Sequence, residues 1–380
     1  MLFVKSDDLK PGMRLAKPIY NKSGVMLYER NSKLSSQGIV SIMNFGLIGV
    51  YILEAAEPVP PMTEDDIEFE RFQAMSVFAI KDIMDAICKR KEPKEMYQFA
   101  NKVLKNYGSL HRKINFIQSI RSKEDYVYKH TLNTAILCAM MTYKLKMEFK
   151  YQLDVVVAAL LHDIGTLLIP LQLRHKNRAE LSEEDLAKVN TYHVAALQMF
   201  SQNRDLDFDI VRIVTDIIKQ LHPEIVKAGE VPEVLPLGAE VLKVAYVYDM
   251  MTAMNFDEEP HSEIVAIRHL MSDEVEYNPD VVDALLSSIN ILSPGVCVEM
   301  TNGDRGLVIA VNNNNVLEPF VLSFRDNKVH NLGDSREAKE MQIKDIMKTM
   351  DNRHVVDNDM LAQYTGSTVH MGERNETKNF

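Results

Sequence analysis

The order of apolar and polar residues divides the chain into three patterned segments and an unpatterned end. Residues 1–56 contain short apolar runs between turn-forming residues, which predicts a small β-rich module. Residues 63–292 carry apolar residues at helical spacing, which predicts a helical domain with a helical lead-in over 63–109. Residues 293–350 return to the two-residue period of strands, and we expect a β-rich, barrel-like module there. Residues 351–380 are polar and aperiodic, and are predicted to be disordered.

Local signals support this division and favour a mainly α fold class: a helical domain flanked by two small β-rich modules. Thr63 and Asp66 have the spacing of a capping box, which predicts a helix that begins between them. Asn278 before Pro279 predicts a further helix start, because asparagine caps well and proline is tolerated in the first turn. Residues 57–61 are rich in proline and are expected to form a stiff linker before the helices.

Composition narrows the class of protein. A length of 380 residues allows two to three domains. The formal net charge of -11 disfavours binding to nucleic-acid polymers, which needs clustered lysine and arginine. Cys88, Cys138 and Cys297 lie far apart and suit a reducing compartment. No apolar run of about 18 residues and no secretory leader pattern are found, so we expect a cytoplasmic protein without a membrane span.

Histidines in the apolar middle of the chain are the candidates for chemistry. His162 and Asp163 are adjacent at the end of an apolar helical run, where burial costs several kcal/mol unless a partner satisfies them. A divalent cation would do so, since it binds imidazole nitrogen and carboxylate oxygen. His130, His193 and His222 lie in other predicted helices of the same region. Each is more often a satisfied core residue when taken alone, but together they indicate a shared metal centre.

The order and spacing of these motifs resemble the HD-GYP branch of the HD superfamily of metal-dependent phosphohydrolases. The resemblance covers about residues 110–292, and the modules on either side are similar to small domains that often accompany HD-GYP domains. It rests on the segments 126–131 (YVYKHT), 158–165 (AALLHDIG), 169–170 (IP), 181–184 (LSEE), 221–224 (LHPE), 244–249 (VAYVYD) and 279–285 (PDVVDAL).

The resemblance implies an all-helical domain with a centre of two or three metals, usually iron or manganese. HD-GYP domains hydrolyse cyclic di-GMP to the linear dinucleotide or to GMP. Paired metals suit this reaction because they activate water and neutralise the phosphodiester. The family motifs place metal ligands at His130, His162, Asp163, His193 and His222, with Asp163 as the catalytic, metal-bridging carboxylate.

Several positions depart from the family pattern. Thr166 replaces the lysine that usually follows the HDIG run, and Pro223 replaces the second of two consecutive histidines. Residues 227–232 read KAGEVP where the family has Asp-Gly-Ser and Gly-Tyr-Pro. Tyr246 replaces the last metal-binding aspartate, and a phenol with an ordinary pKa of about 10 is a poor anionic ligand at neutral pH. Asp249, one helical turn later, would substitute only if the helix rotated.

These losses favour one function over two others. The favoured function is a degenerate, catalytically impaired HD-GYP-like protein of bacterial cyclic di-GMP signalling, with partial or absent metal, acting as a binding or scaffold module. One alternative is an active metal-dependent phosphodiesterase that produces linear pGpG or GMP. Another is a phosphohydrolase of a related nucleotide, with Arg174 or Lys227 contacting phosphate. The expected partners are cyclic di-GMP or a related nucleotide, proteins of the signalling or motility machinery, and a second copy in a homodimer.

Overall fold

The structure is a computed structural model, and it divides into two compact units, Met1–Asn290 and Ile291–Phe380, which are described separately. The predicted linker up to residue 60 and the predicted disordered tail lie outside the described residues, and the domain limits inferred from the sequence stay predictions. The structure describes residues 2–21, 25–53, 61–91, 95–227, 229–254, 259–312, 315–334, 336 and 341–347.

The first unit begins with a small β-rich module. Strand β5 is buried over its whole length and lies at the centre of a three-stranded antiparallel sheet of order β1-β5-β2, while β3 pairs with β4. Because β5 is apolar and buried along its whole length, both of its faces must be covered by other parts of the protein. The module therefore packs against the helical region. Its elements are β1 (Leu2–Lys5), a 3-10 turn (Ser6–Asp8), β2 (Arg14–Leu15), β3 (Ile19–Tyr20), β4 (Met26–Tyr28), α1 (Ser36–Asn44) and β5 (Gly49–Leu53).

An irregular segment of the helical region is hydrogen-bonded to the β-rich module. The backbone N–H of Ile48 donates to the carbonyl of Arg121 at 3.2 Å, and Lys123 N–H donates to the carbonyl of Gly46 at 2.9 Å. Lys17 also donates from Nζ to the carbonyl of Gln118. The segment before α4 is therefore held in place by backbone bonds to the β-rich module.

Helices make up the rest of the first unit. The predicted starts are confirmed: Thr63 and Asp66 form a reciprocal capping box, and the Asn278 side chain accepts from the N–H of Asp280. Short 3-10 helices span Arg178–Glu180 and Pro223–Ile225. The helices are α2 (Glu64–Cys88), α3 (Met96–Tyr107), α4 (Tyr126–Lys144), α5 (Phe149–Leu161), α6 (Ile164–Leu168), α7 (Leu171–Arg174), α8 (Glu183–Ser201), α9 (Phe208–Leu221), α10 (Leu237–Thr252), α11 (Glu263–Met271) and α12 (Pro279–Leu286).

Helix α4 lies at the centre of this bundle. It is buried on most of its surface and packs against α2, α3, α5, α10 and α12. The C-terminal half of α5 is also fully buried, as its unbroken apolar sequence predicted. Polar side chains that project from α4 or from the end of α5 therefore enter a water-poor interior, where they need internal partners.

The stretch Phe149–Leu168 is the one described segment that is long and apolar enough to cross a membrane. Sixty-seven per cent of the most apolar 18-residue part of this segment is buried inside the protein. Such burial is typical of a core helix, and α5 packs here against α3, α4 and α9. Length and composition alone are therefore weak grounds for a membrane span.

The second unit contains a five-stranded antiparallel sheet of order β10-β6-β7-β8-β9. A turn with Gly303 at φ +85° joins its first two strands, a conformation that glycine adopts without steric cost. The predicted mainly α fold class with flanking β-rich modules is confirmed. The strands are β6 (Cys297–Met300), β7 (Arg305–Ala310), β8 (Phe320–Ser323), β9 (Val329–Asn331) and β10 (Ile343–Ile346).

Gly238 tests how tightly α5, α9 and α10 pack. A Cβ atom at this position would lie 2.7 Å from Ile213 Cδ1 and 2.8 Å from Val155 Cγ2, and both side chains are fully buried. We expect Gly238→Ala to lower the free energy of unfolding by about 1–3 kcal/mol, because the core must move apart. Urea denaturation measures it, with Leu237→Ala as the matched control, since Leu237 is exposed. Equal stability of Gly238→Ala and the parent would contradict tight packing here.

Candidate metal centre

Three of the predicted ligands converge in the interior. His130 projects from α4, and His162 and Asp163 lie where α5 ends and α6 begins. One ligand atom of each lies within 4.8 Å of the others, so these three residues could hold a metal ion together. Both histidines are buried, at 2% and 4% exposure. Two adjacent residues between α5 and α6 thus lie beside a third residue on α4, the central helix of the bundle.

The hydrogen bonds on the far side of each ring define where the lone pairs point. His162 Nδ1 lies 2.7 Å from the carbonyl oxygen of Ala159, which only accepts, so this nitrogen carries the proton. His130 Nδ1 lies 2.6 Å from a carboxylate oxygen of Asp249 and donates to it. The Nε2 atoms of the two rings then face each other across 3.3 Å. Both nitrogens could ligate a single cation placed between them.

The side chains of this group are of the types that bind divalent metals. Burial, and then the neighbouring His130, lowers the pKa of His162 to about 3, so its ring is neutral at pH 7. Burial raises the pKa of Asp163, and the hydroxyl of Thr166 donates to one of its carboxylate oxygens, opposing that rise. Two imidazoles and one carboxylate are a donor set that a divalent metal fits. This geometry is consistent with the predicted metal site.

Tyr246 on α10 forms one wall of the same group. Its ring meets that of His130 edge to face with centroids 4.9 Å apart, and that of His162 at 5.7 Å. Burial, and then the charges of Asp163 and Asp249, raises the pKa of Tyr246, so the phenol stays neutral. Where the family resemblance implies a carboxylate, this chain has a neutral aromatic ring in contact with both histidines.

Asp249 does not replace the missing carboxylate, because it lies behind His130 and holds the Nδ1 side of the ring. Nη2 of Arg121 lies 2.7 and 2.6 Å from its two oxygens, and the amide of Asn133 donates to it at 2.8 Å. Burial alone would raise the pKa of Asp249, but Arg121 and His130 outweigh burial and lower it. Asp249 is thus a positioning residue that orients a ligand, as carboxylates behind metal-binding histidines do.

Sequence reasoning missed Arg121 and assigned Asp249 only as a substitute ligand. The available signal was an arginine shortly before the histidine-bearing helix, and an aspartate one turn after the expected ligand. Because the two residues are 128 positions apart, no local pattern joins them.

His193 and His222 form a separate pair beside the first group. Their rings are stacked, with centroids 3.6 Å apart and an interplanar angle of 21°. Burial, followed by His222, lowers the pKa of His193 to about 3, and burial, followed by Arg178, lowers that of His222 to about 4. The absence of a side chain at Gly165 lets His193 lie against α6, since a Cβ atom there would lie 2.7 Å from His193 Nδ1. The five predicted ligands therefore meet as a group of three and a neighbouring pair.

The predicted substrate contacts lie in different surroundings. Arg174, at the end of α7, donates to the carbonyl of Leu167 at 3.2 Å, and its charge acts on Asp163. Lys227 is exposed, and its described hydrogen bonds are made by its backbone N–H and carbonyl, both to Glu230. The structure thus brings Arg174 close to the group of three and does not bring Lys227 there; both roles stay predictions.

The buried neutral histidines generate a pH dependence of stability. An unfolded histidine has a pKa of about 6.5, whereas that of folded His162 is about 3. Between these values the unfolded chain binds a proton that the folded chain does not, so stability falls as pH falls through this window. From pH 7 to pH 5, with chelator present, the parent should lose about 2 kcal/mol more than His162→Gln in urea denaturation.

The control for that measurement is His111→Gln, which alters an exposed histidine and should keep the pH dependence of the parent. If His162→Gln keeps it as well, the ring is not held neutral in the folded chain.

Comparisons with known proteins fit this geometry. A family model described as HD domain matches residues 115–281. The curated protein "Cyclic di-GMP phosphodiesterase PA4108" of Pseudomonas aeruginosa is 22% identical to the chain over 209 residues, which are 54% of this chain and 49% of that protein. The chain thus spans about half the length of this relative. A solved structure, Bd1817, "a HDG"Y"P protein from Bdellovibrio bacteriovorus", aligns with 15% identity and a TM-score of 0.43, covering 75% of this chain and 97% of that one.

The matched segment contains all five predicted ligands: His130, His162, Asp163, His193 and His222. The family match and the motifs therefore agree on the same region of the chain. Residues 115–281 thus match the HD domain family model, and the motifs in this segment resemble those of the HD-GYP branch.

Proposed function

We propose that the chain is a catalytically impaired HD-GYP protein of bacterial cyclic di-GMP signalling that acts as a binding module. His130, His162 and Asp163 would hold one divalent metal, iron or manganese, and cyclic di-GMP or a related nucleotide would be the ligand. The contact of Tyr246 with both histidines carries the proposal, because a neutral ring occupies the side where a further carboxylate would ligate. The name of the Pseudomonas relative supports the choice of nucleotide.

Ligand number supports impaired hydrolysis. Metal affinity and geometry depend on how many donors converge, and only three donor residues do so here within the described part of the chain. Pro223, at the start of a 3-10 turn beside His222, offers no side-chain donor. Thr166 turns its hydroxyl to Asp163 and supplies no positive charge. Two ligands and one cation of the family pattern are therefore missing from the same centre.

The remaining side chains still suit the binding of a phosphate. A bound metal would neutralise phosphate charge. Arg174 would add a second cation near Asp163, and Asp249 keeps the Nε2 atom of His130 directed at the metal position. Recognition of a nucleotide phosphate needs these charges, whereas hydrolysis also needs an activated water and therefore a more complete centre.

An active phosphodiesterase is the second candidate, and the His193–His222 pair favours it. Both rings are neutral at pH 7 because burial lowers their pKa values. They lie next to the group of three through Gly165, and Glu224 lies 3.8 Å from His222 Nδ1. This pair would supply donors for a second metal. A cytoplasmic location, partners in signalling or motility, and homodimerisation stay predictions.

Metal content separates the two candidates. After anaerobic loading with Fe²⁺ or Mn²⁺, we expect about one metal per chain by elemental analysis, since one convergent donor group is present. His130→Ala should remove it, and Asp249→Asn should weaken metal binding about 10–100-fold by releasing the ring of His130. His111→Ala, on the surface, is the control and should retain the metal. Two metals per chain would support the active enzyme, and none in the parent would refute the proposed centre.

Turnover tests the impairment itself. Incubated with cyclic di-GMP and Mn²⁺ or Fe²⁺, the parent should form no linear product, while the combined Tyr246→Asp and Pro223→His variant should gain hydrolysis by restoring two ligands. Chromatography of the nucleotides measures both. Product formation by the parent would overturn the impaired assignment, and calorimetry that detects no binding of cyclic di-GMP would overturn the nucleotide ligand.

A further inference from the structure

A cavity of about 190 Å³ lies between the β-rich module and the helices of the first unit. It is separate from the metal centre, since none of the candidate ligands lines it. Its walls are mainly apolar and come from β3, the segment before β5, α2, and the start of α4. The apolar lining residues include Ile19, Phe45, Leu47, Val77, Phe78 and Tyr128. An apolar lumen with a few polar groups at its edge is the usual form of a small-molecule site.

Charges of both signs lie at the edge of the cavity, and Lys81 is the cation best placed to meet a ligand. The carboxylate of Glu70 pairs with Arg30 at 3.3 Å, and that of Asp125 pairs with Lys129 at 2.7 Å, while Lys17 and Glu124 also line the cavity. Lys81, exposed on α2, lies with Nζ 5.7 Å from the ring centre of Tyr128 and has no carboxylate partner among the described residues. An ammonium without a described carboxylate partner therefore adjoins an aromatic wall of the lumen.

The floor of the cavity is hydrogen-bonded to the metal centre. Gln73 and Gln118 line the cavity and are both buried. The Gln73 amide donates to Asn133 at 2.9 Å, and Asn133 donates to Gln118 at 2.8 Å and to Asp249 at 2.8 Å. Because Asp249 orients His130, a molecule that moves either glutamine acts on a candidate metal ligand through a chain of three hydrogen bonds.

We propose that this cavity is a binding site for a small amphipathic anion, with its apolar body in the lumen and its charged group at Lys81, and that occupancy alters metal binding at His130. The size suits a small molecule, since the lumen of about 190 Å³ is below the range of about 300–1,000 Å³ of typical ligand pockets. The binding part is independent of the proposed function, and the effect on the metal rests on it.

Octanoate tests the binding part, with 1-octanol as its uncharged counterpart, by calorimetry on the full chain without metal. Octanoate should bind saturably at about one molecule per chain, and about fivefold more tightly than octanol, as expected for one exposed charge contact. Ala74→Trp should abolish binding by filling the lumen, because Ala74 lines it. Met75→Trp is the matched control on the same helix, since Met75 is 64% exposed, and should bind as the parent does.

Lys81→Gln keeps the test decisive even if the tryptophan in the lumen disturbs folding. It changes an exposed side chain and should weaken octanoate about fivefold while leaving octanol unchanged. Absence of saturable octanoate binding by the parent, or equal binding by Ala74→Trp, would overturn the site. Equal loss of both probes in Lys81→Gln would overturn the anionic head group.

The effect on the metal is tested by titrating Mn²⁺ with and without saturating octanoate. We expect the metal dissociation constant to change by about fivefold or more, and metal to change octanoate binding by the same factor. Binding of octanoate and Mn²⁺ with no mutual effect would overturn the transmission through Asn133. If Mn²⁺ does not bind at all, the proposed function fails while the octanoate measurements still decide the site.

Discussion

The buried ion pair between Arg121 and Asp249 is the interaction on which the functional interior depends. Both side chains are almost completely excluded from solvent, at 1% and 0% exposure. Breaking such a pair by removing one partner costs about 3–5 kcal/mol, because the other charge is left buried and uncompensated. The pair therefore has one stable arrangement, and it fixes α10 against the segment before α4. The side chains of His130 and Asn133, which are hydrogen-bonded to Asp249, are positioned by it in turn.

The ligand geometry follows from that position. Asp249 holds one nitrogen of His130, a backbone carbonyl holds the corresponding nitrogen of His162, and the two Nε2 atoms are thereby directed at one point. A cation at that point would bind the folded chain and not the unfolded one, so metal binding and folding stability would be coupled even with few ligands. Tyr246 fits this arrangement because a neutral ring adds no further charge.

Much of the fold and part of the site could be predicted from the sequence. Capping at Thr63 and Asn278 depends on residues within three positions, so the local pattern suffices. The convergence of His130 with His162 follows from the family motifs, which carry information on tertiary contacts that a single pattern lacks. The Arg121–Asp249 pair and the stacking of His193 on His222 were beyond prediction, because no sequence motif carries these contacts. Their contacts depend on how helices pack, which periodicity does not encode.

The backbone bonds between the β-rich module and the segment at Arg121 have a consequence for how the chain can be divided. Ile48 bonds the carbonyl of Arg121, the arginine that fixes Asp249, and Gly46 bonds the N–H of Lys123 two residues later. The sequence pattern changes near residue 60, but the structures on either side of this limit are hydrogen-bonded to each other. The small module thus helps to hold the segment that carries Arg121. A fusion protein in which another domain replaces the β-rich module would lack these backbone hydrogen bonds to the segment at Arg121.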